Sequence, residues 1–275
     1  MEVQDKLAAL EQKVSQNNTR EMQLLAFSCI DLTTLNATDT ISRVKAFTER
    51  VNDFSNDYPN LPNVASICIF PNLARTVKEN LLDDRVNITA VAGSFPTSMS
   101  FIELKVKEAQ MAVDQGANEI DIVIPLWSFL DDTEVNFCEE TGSIKEAIGE
   151  AHLKVILETG ALADDEIIYK ASMLAMESGA DFIKTSTGKL KPAATPEAAI
   201  VMCEAIYDYY QRTGRRVGFK PAGGISTTED AMLYITIVSE ILGEGWLNPT
   251  LFRIGASRLA NNLLGDLLGE EVKYF

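Results

Sequence analysis

The sequence has few of the residues on which metal sites and disulfide frameworks depend. It contains one histidine, His152, and its four cysteines form neither a CxxC pair nor a zinc-ligand spacing. The scarcity of histidine argues against an enzyme that polarises its substrate with a divalent metal ion, so no metal site is predicted. The scattered cysteines predict a reducing, cytoplasmic location, in which each thiol packs as a small core residue.

Positive charge is also in short supply. The chain has 24 Lys+Arg against 40 Asp+Glu and a net charge of −16, which repels nucleic acid and anionic lipid over most of the surface. No apolar run approaches the length of a membrane span. We therefore expect neither nucleic acid nor a membrane as a partner, and any phosphorylated ligand must find a local positive site.

Several motifs of common enzyme classes are missing too. No GxGxxG follows the first predicted strand, no GxSxG or HExxH occurs, and the stretch "TSTGK" lacks the first glycine of a GxxxxGK phosphate loop. These gaps argue against the nucleotide-binding and hydrolase classes that the motifs mark. They also leave an open doubly wound sheet as only the second choice of architecture.

Eight runs rich in valine, isoleucine and phenylalanine alternate with stretches that have apolar residues at helical spacing. Near-continuous apolar strands suit a parallel sheet buried on both faces, and eight such units predict one (β/α)8 barrel. We expect the barrel over 21–275, preceded by an N-terminal helical extension over 1–20 that acts as a lid or an oligomer contact. Gly116 and Gly179 stand where two helices should end. The predicted strands span 24–32, 64–70, 86–93, 118–125, 153–160, 181–187, 216–224 and 252–257.

Three ionisable residues stand near the ends of predicted strands. They are Asp121 in "EIDIVIP", Lys184 in "DFIKTS" and Lys220 in "GFKPAGG", and the active site of such a barrel forms at the carboxyl ends of its strands. Side chains alternate along a strand, so Asp121 points into the barrel when the neighbouring isoleucines point outward. Strands six and seven should be neighbours about 4.8 Å apart, which brings the two lysine stems side by side.

Paired lysines favour chemistry through a neutral amine. Repulsion between the two ammonium groups, together with burial, lowers a lysine pKa and frees an amine to attack a carbonyl. The protonated imine then lets a neighbouring carbon–carbon bond break, and Asp121 can move protons together with the other lysine. The pattern does not decide which lysine attacks. Ordinary salt-bridged lysines, and an aspartate that only accepts backbone hydrogen bonds, are the alternatives.

Glycine-rich loops after strands seven and eight predict a phosphate site, because these loops supply that site in many barrels. They read "AGGIST" (222–227) and "GASRL" (255–259), and a "GK" pair after strand six adds a third loop. Backbone amides at glycines can approach an oxyanion closely, and serine hydroxyls at helix starts add donors. The candidate phosphate-binding residues are Gly188, Lys189, Gly223, Gly224, Ser226, Gly255 and Ser257.

Together these segments resemble the deoxyribose-phosphate aldolase family, from "IDLTTLN" through "ASICIFP", "KVILETG" and "GADFIKTSTGK" to "RIGAS". The two lysine segments are the most specific part of the resemblance. It implies reversible cleavage of 2-deoxy-D-ribose 5-phosphate to D-glyceraldehyde 3-phosphate and acetaldehyde, in deoxyribonucleoside catabolism, by a homodimer without metal or organic cofactor. A related imine-forming sugar-phosphate aldolase or transaldolase, and a non-catalytic sugar-phosphate-binding barrel, are the alternatives.

The resemblance also implies a role for each candidate residue. Lys184 would form the Schiff base, Lys220 would perturb it and Asp121 would assist proton transfer. Asp31 and Thr33 would orient substrate hydroxyls at the end of strand one. The glycine loops would hold the phosphate.

Two departures from the family pattern concern the phosphate and the last residues. Many relatives carry an arginine after "PAGGI", where this chain has Ser226, and Arg258 after "GAS" is the candidate to compensate. Some relatives place a C-terminal tyrosine over the active site. Tyr274 is the candidate for that position here, with a disordered end as the alternative.

Overall fold

The computed structural model describes residues 2–131, 133–162 and 164–275. Short strands that are buried on both faces alternate with longer helices along the described chain. The strands are β1 (Ile30–Thr33), β2 (Ser66–Ile69), β3 (Asn87–Val91), β4 (Glu119–Val123), β5 (His152–Ile156), β6 (Phe182–Lys184), β7 (Gly218–Lys220) and β8 (Ile254–Ala256). The helices are α1 (Val3–Asn17), α2 (Arg20–Ser28), α3 (Ile41–Asp57), α4 (Ala74–Asn80), α5 (Ile102–Asp114), α6 (Leu126–Phe129), α7 (Glu134–Ile148), α8 (Asp165–Glu177), α9 (Pro196–Thr213), α10 (Thr228–Leu242) and α11 (Arg258–Leu268).

The strands form one parallel sheet in the order β7-β6-β5-β4-β3-β2-β1-β8. Two backbone bridges, Phe219 with Phe252 and Ala222 with Gly255, then join the two ends of the sheet. The helices cover its outside, which is why all residues of strands such as β4 are buried. The predicted (β/α)8 barrel is confirmed.

One predicted strand is wrong over part of its length. The run predicted as a strand over 24–32 is helical up to Ser28, and β1 begins only at Ile30. A short apolar run fits a buried helix as well as a strand. The helix is favoured by its N-cap, because the Thr19 hydroxyl accepts a hydrogen bond from the Met22 amide.

Helix α1 packs against α9 and α10 on the outer layer of the barrel. Leu7 and Leu10 are its buried residues, and Lys13 forms an ion pair of 2.5 Å with Glu240 on α10. A polar helix here is therefore explained by one narrow apolar stripe with charges on the remaining face. The domain boundary at residue 20 stays a prediction.

The predicted helix ends at two glycines are confirmed. Gly116 follows α5 with a φ of +107°, and Gly179 follows α8 with a φ of +102°, a conformation that glycine adopts without strain. Among the helices of the described chain, none combines the length and apolar character needed to cross a membrane.

Candidate active site

Lys184 and Lys220 are direct neighbours across the β6–β7 pair, as the strand pattern predicted. Both ammonium nitrogens donate to the same oxygen, Oδ2 of Asp121, over 2.7 Å from Lys184 and 2.8 Å from Lys220. Asp121 lies on β4 with its side chain fully buried in the barrel. The structure thus brings together the three residues that the sequence suggested for catalysis.

The barrel makes room for these side chains at a glycine. A β-carbon at position 255 would lie 2.7 Å from the Ala222 side chain and 3.3 Å from Cε of Lys220. The first distance is a clash, and the second is tighter than an ordinary contact. Gly255 therefore lets the Lys220 stem cross the barrel interior toward β1 and β4.

The two lysines share a carboxylate, but their pKa values shift in opposite directions. Burial lowers the pKa of Lys184; the Asp121 carboxylate opposes this change and the Lys220 ammonium adds to it. Burial alone would also lower the pKa of Lys220, but the carboxylates of Asp121 and Asp31 outweigh burial and raise it. Lys184 is therefore the easier of the two to deprotonate.

The pKa values of Asp121 and Cys68, beside the lysines, are also shifted. Burial alone would raise the pKa of Asp121, but the cations of Lys184, Lys220 and Lys154 hold it below its ordinary value. Burial raises the pKa of the Cys68 thiol on β2. Asp121 is thus a carboxylate and Cys68 a neutral thiol around neutral pH.

Beneath the lysine pair lies a charged network that was not predicted from the sequence. Lys154 on β5 pairs with Glu119 at 2.5 Å and lies 3.3 Å from Oδ1 of Asp121. Arg253, just before β8, reaches Glu119 at 2.7 Å and Asp31 at 2.6 Å. The other oxygen of Asp31 contacts the Lys220 ammonium. These ion pairs connect β1, β4, β5, β7 and β8 inside the barrel.

The strand period contained a signal for these residues. Glu119 is two positions before Asp121, and Lys154 is the one charged residue in the apolar run "LKVIL". Since side chains alternate along a strand, both share the inward-facing parity. Arg253 likewise is two positions before Gly255, which pairs with the inward-facing Asp31.

A cavity of about 750 Å³ opens at the carboxyl ends of the strands, and Lys184 reaches it from below. The Thr33 side chain lies at its wall, whereas Asp31 is fully buried and does not line it. The predicted contact of Asp31 with substrate hydroxyls therefore stays a prediction. All candidate phosphate-binding residues line the cavity: Gly188, Lys189, Gly223, Gly224, Ser226, Gly255 and Ser257.

Three glycines that line this cavity have backbone amides without an acceptor among the described residues. No described residue accepts a hydrogen bond from the backbone amides of Gly188, Gly223 or Gly224. Gly223 has a φ of +90°, and a β-carbon there would lie 2.7 Å from the Ala193 side chain, so only glycine fits. The Ser226 amide differs, because it donates to the Asp230 carboxylate at the start of α10. Ser226 thus has its hydroxyl to offer and not its amide.

Cations other than Lys184 surround the same cavity. Lys189, which donates to the Leu35 carbonyl at 2.5 Å, lines it together with Arg43, Arg50 and Arg258. In a chain with a net charge of −16, this is the local positive site that an anionic ligand requires.

The last two residues pack beside the cavity. The Tyr274 hydroxyl donates to Asp57 at 2.6 Å, and its ring stacks edge-on against Phe54 and Tyr58. Phe275, and not Tyr274, is the residue that lines the cavity. In this conformation the Tyr274 side chain is held on α3.

No cluster of three or more histidine, cysteine or acidic side chains suited to a metal ion occurs among the described residues. The barrel carboxylates are each engaged by lysine or arginine instead. The arrangement suits acid–base and amine chemistry, in which a buried carboxylate meets two amines whose pKa values are shifted in opposite directions, at the floor of a cavity.

Known proteins share this chain's sequence and fold. Residues 25–242 match the profile of the DeoC/LacD family aldolases. A deoxyribose-phosphate aldolase of Bos taurus is 40% identical over 86% of this chain and 77% of its own length. One of Agrobacterium fabrum is 38% identical over 92% of this chain and 94% of its own.

A solved structure of a deoxyribose phosphate aldolase from Aeropyrum pernix, described as tetrameric, superposes with a TM-score of 0.69. It covers 94% of this chain and 96% of its own at 24% identity, a likeness that concerns the fold. The family match spans most of the barrel, and both sequence relatives are aldolases, which are carbon–carbon lyases. This chain belongs to the DeoC/LacD aldolase family.

Proposed function

We propose that this aldolase reversibly cleaves 2-deoxy-D-ribose 5-phosphate to D-glyceraldehyde 3-phosphate and acetaldehyde through an imine on Lys184. The observation that carries the proposal is the shared carboxylate, since Oδ2 of Asp121 accepts hydrogen bonds from Lys184 and from Lys220. Two amines on one buried carboxylate supply a nucleophile and a proton carrier at the same point. The aldolase relatives named for this substrate support the choice of substrate.

Lys184 is the better nucleophile for three reasons. It lines the cavity, whereas Lys220 does not. Its ion pairs reach one carboxylate, whereas Lys220 contacts both Asp31 and Asp121. Burial lowers its pKa, while the two carboxylates raise that of Lys220. A neutral Lys184 amine can therefore attack, and Lys220 remains a proton donor.

The chemical steps follow from these protonation states of Lys184 and Lys220. The Lys184 nitrogen adds to the C1 aldehyde, and loss of water gives an imine that is protonated on nitrogen. A base removes the proton of the C3 hydroxyl, the C2–C3 bond breaks, and its electron pair moves into the iminium to form an enamine. D-glyceraldehyde 3-phosphate leaves, the enamine takes a proton at C2, and water releases acetaldehyde. Asp121 and Lys220 move these protons.

The phosphate would bind at the glycine loops. Gly188, Gly223 and Gly224, whose amides have no acceptor among the described residues, line one cavity together with Lys189. Ser226 stands where many relatives have an arginine, and its amide is already held by Asp230. Arg258, which lines the same cavity from the start of α11, would supply the missing guanidinium.

A homodimer would bury an exposed apolar stripe beside α5. Phe101 is 76% exposed, Leu104 59% and Met111 52%, and residues at this spacing share one helix face. Sedimentation velocity of the wild type and of Leu104→Glu tests the assignment, since a dimer closed by this stripe becomes a monomer in the variant.

A cytoplasmic location stays a prediction, supported by four free cysteines.

Turnover tests the substrate. The wild type should consume 2-deoxyribose 5-phosphate with equal release of both aldehydes, and Lys184→Leu should not. Unphosphorylated 2-deoxyribose should react with a much higher KM. Transaldolase activity without acetaldehyde release would point to the related imine-forming class. Phosphate binding without turnover of any aldehyde pair would point to a binding protein.

A further inference from the structure

The barrel interior holds more cations than carboxylates. Its charged groups are almost fully buried, and none is more than 3% exposed. They connect to one another through ion pairs that, among the described residues, involve no group outside the set. The carboxylates are Asp31, Glu119 and Asp121, and the cations are Lys154, Lys184, Lys220 and Arg253. Three carboxylates against four cations leave one positive charge without a counterpart.

The excess charge falls on the cation with the fewest partners. Lys154 contacts all three carboxylates, while Lys220 and Arg253 contact two each. Lys184 contacts Asp121 alone, and that carboxylate also serves Lys220 and Lys154. An uncompensated buried charge is costly, so the network is most stable when one amine loses its proton. Lys184 loses the fewest ion pairs when its amine becomes neutral.

The other groups that face Lys184 do not correct this balance. On β2, Cys68 is a thiol whose pKa is raised by burial, and the uncharged Thr89 on β3 accepts a hydrogen bond from the Lys154 ammonium. Glu158, after β5, accepts from the amide and hydroxyl of Thr187 and so turns to the next loop. Lys189 is bound to the Leu35 carbonyl at the cavity wall and, as a further cation, cannot supply the missing negative charge.

We propose that Glu119, Lys154 and Arg253 are positioning residues whose summed charge decides whether the Lys184 amine carries a proton in the resting enzyme. None of the three lines the cavity, so they act through Asp121 and Asp31. The proposal rests on the proposed function, in which the Lys184 amine attacks the aldehyde. It gives a role to buried groups that the aldol steps themselves do not use.

The network makes a prediction that depends on the sign of the charge removed. Glu119→Gln leaves two excess positive charges, so Lys184 should give up its proton at lower pH. Lys154→Met leaves the remaining charges balanced, so Lys184 should keep its proton to higher pH. Lys154 and Lys184 both contact Asp121, and Glu119 contacts Lys154, so each shift should be about one to two pH units, as for charges that lie close together in a partly desolvated site. The double variant removes an ion pair of 2.5 Å and keeps the excess unchanged.

The test measures the protonation of Lys184 directly in the full-length protein. Competitive labelling with acetic anhydride over a range of pH, followed by peptide mass mapping of residues 181–189, reports the titration without catalysis. Borohydride trapping of acetaldehyde on Lys184 over the same pH range reports imine formation. Circular dichroism and the thermal midpoint establish that each variant is folded. If Lys154→Met does not fold, Arg253→Met replaces it, with the charge-preserving Arg253→Lys as its control.

The expected result is a shift to lower pH for Glu119→Gln, a shift to higher pH for the loss of a cation, and a near-wild-type curve for the double variant. The proposal would be overturned if the Lys184 titration curve shifted in the same direction in all folded variants, or did not shift in any of them. A purely structural role would not depend on the sign of the charge that is removed. If only one of the single-substitution variants folds, the direction of its titration shift relative to the double variant still tests the proposal. A wild type that forms no imine on Lys184 would instead refute the proposed function.

Discussion

The protein buries lysines in two places, and the two differ in how many carboxylates each lysine has. Between α5 and α7, Lys105 is 1% exposed and has Glu140 to itself at 2.6 Å, with the Ser98 hydroxyl at 2.9 Å. Inside the barrel, Lys184 is equally buried but shares Asp121 with Lys220 and Lys154. The first site is a balanced pair, and the second has an excess of positive charge.

The difference separates structural from chemical burial of an amine. A lysine with its own carboxylate is stabilised in its charged form by a counter-ion that it does not share with another cation. A lysine that shares a carboxylate with other cations is stabilised less in its charged form. We therefore propose that burial alone does not make a lysine reactive, and that the local ratio of cations to carboxylates does.

The largest effect should follow from removing the shared amine itself. Lys184→Leu deletes the nucleophile while Asp121 keeps Lys220 and Lys154 as partners, so the barrel should still fold. We expect kcat for deoxyribose 5-phosphate cleavage to fall by about 10⁴-fold or more, measured by aldehyde release. A folded variant within about tenfold of the wild type would remove Lys184 from the chemistry.

Breaking the balanced pair should affect stability and not chemistry. Lys105→Met leaves Glu140 buried without its cation, so we expect the free energy of unfolding to fall by about 3 kcal/mol in urea denaturation. The double variant Lys105→Met/Glu140→Leu should recover most of that loss. In both, kcat and its pH dependence should match the wild type. A changed pH dependence would mean that the two regions are coupled.

The pH dependence of imine formation tests the lysine that shares its carboxylate. The pKa of Lys184 is lowered mainly by burial, with Lys220 adding to the effect, so the amine is neutral above that lowered pKa and protonated below it. We expect the rate of imine formation to fall about tenfold for each pH unit below it, measured by stopped-flow or quenched trapping. A rate that stays constant through the acid range would contradict a lysine nucleophile.

The smallest expected effect concerns the other end of the cavity, where cations face solvent and not one another. Arg258→Ala should raise KM for deoxyribose 5-phosphate by about tenfold and leave kcat and the KM for unphosphorylated 2-deoxyribose unchanged. Arg258→Lys should recover part of the loss. Equal effects on both sugars would show that Arg258 does not contact the phosphate.

The sequence predicted the parts of this account that depend on local periodicity. The inward direction of Asp121 and the pairing of Lys184 with Lys220 follow from the two-residue repeat of a strand and from parallel neighbours. The helix over 24–28 was missed because a short apolar run fits either structure. The links from Arg253 to Glu119 and Asp31 were missed because they exist only once the sheet closes.

The phosphate end could be predicted only in outline. A glycine pair after β7 and the single glycine of "GASRL" at β8 indicated the loops, and their residues do line one cavity. The hydrogen bond from the Ser226 amide to Asp230 depends on how α10 begins, and the arginines of α3 reach the cavity only through tertiary packing. Neither is visible in the spacing of residues along the chain.

The most direct test of the central claim is borohydride trapping with 2-deoxyribose 5-phosphate, followed by peptide mass mapping, on the wild type and on Lys184→Leu. We expect a reduced adduct on the 181–189 segment of the wild type and none in the variant. An adduct on Lys105 or Lys220 instead, or no adduct in a folded wild type, would contradict the claim that a shared carboxylate makes Lys184 the reactive amine.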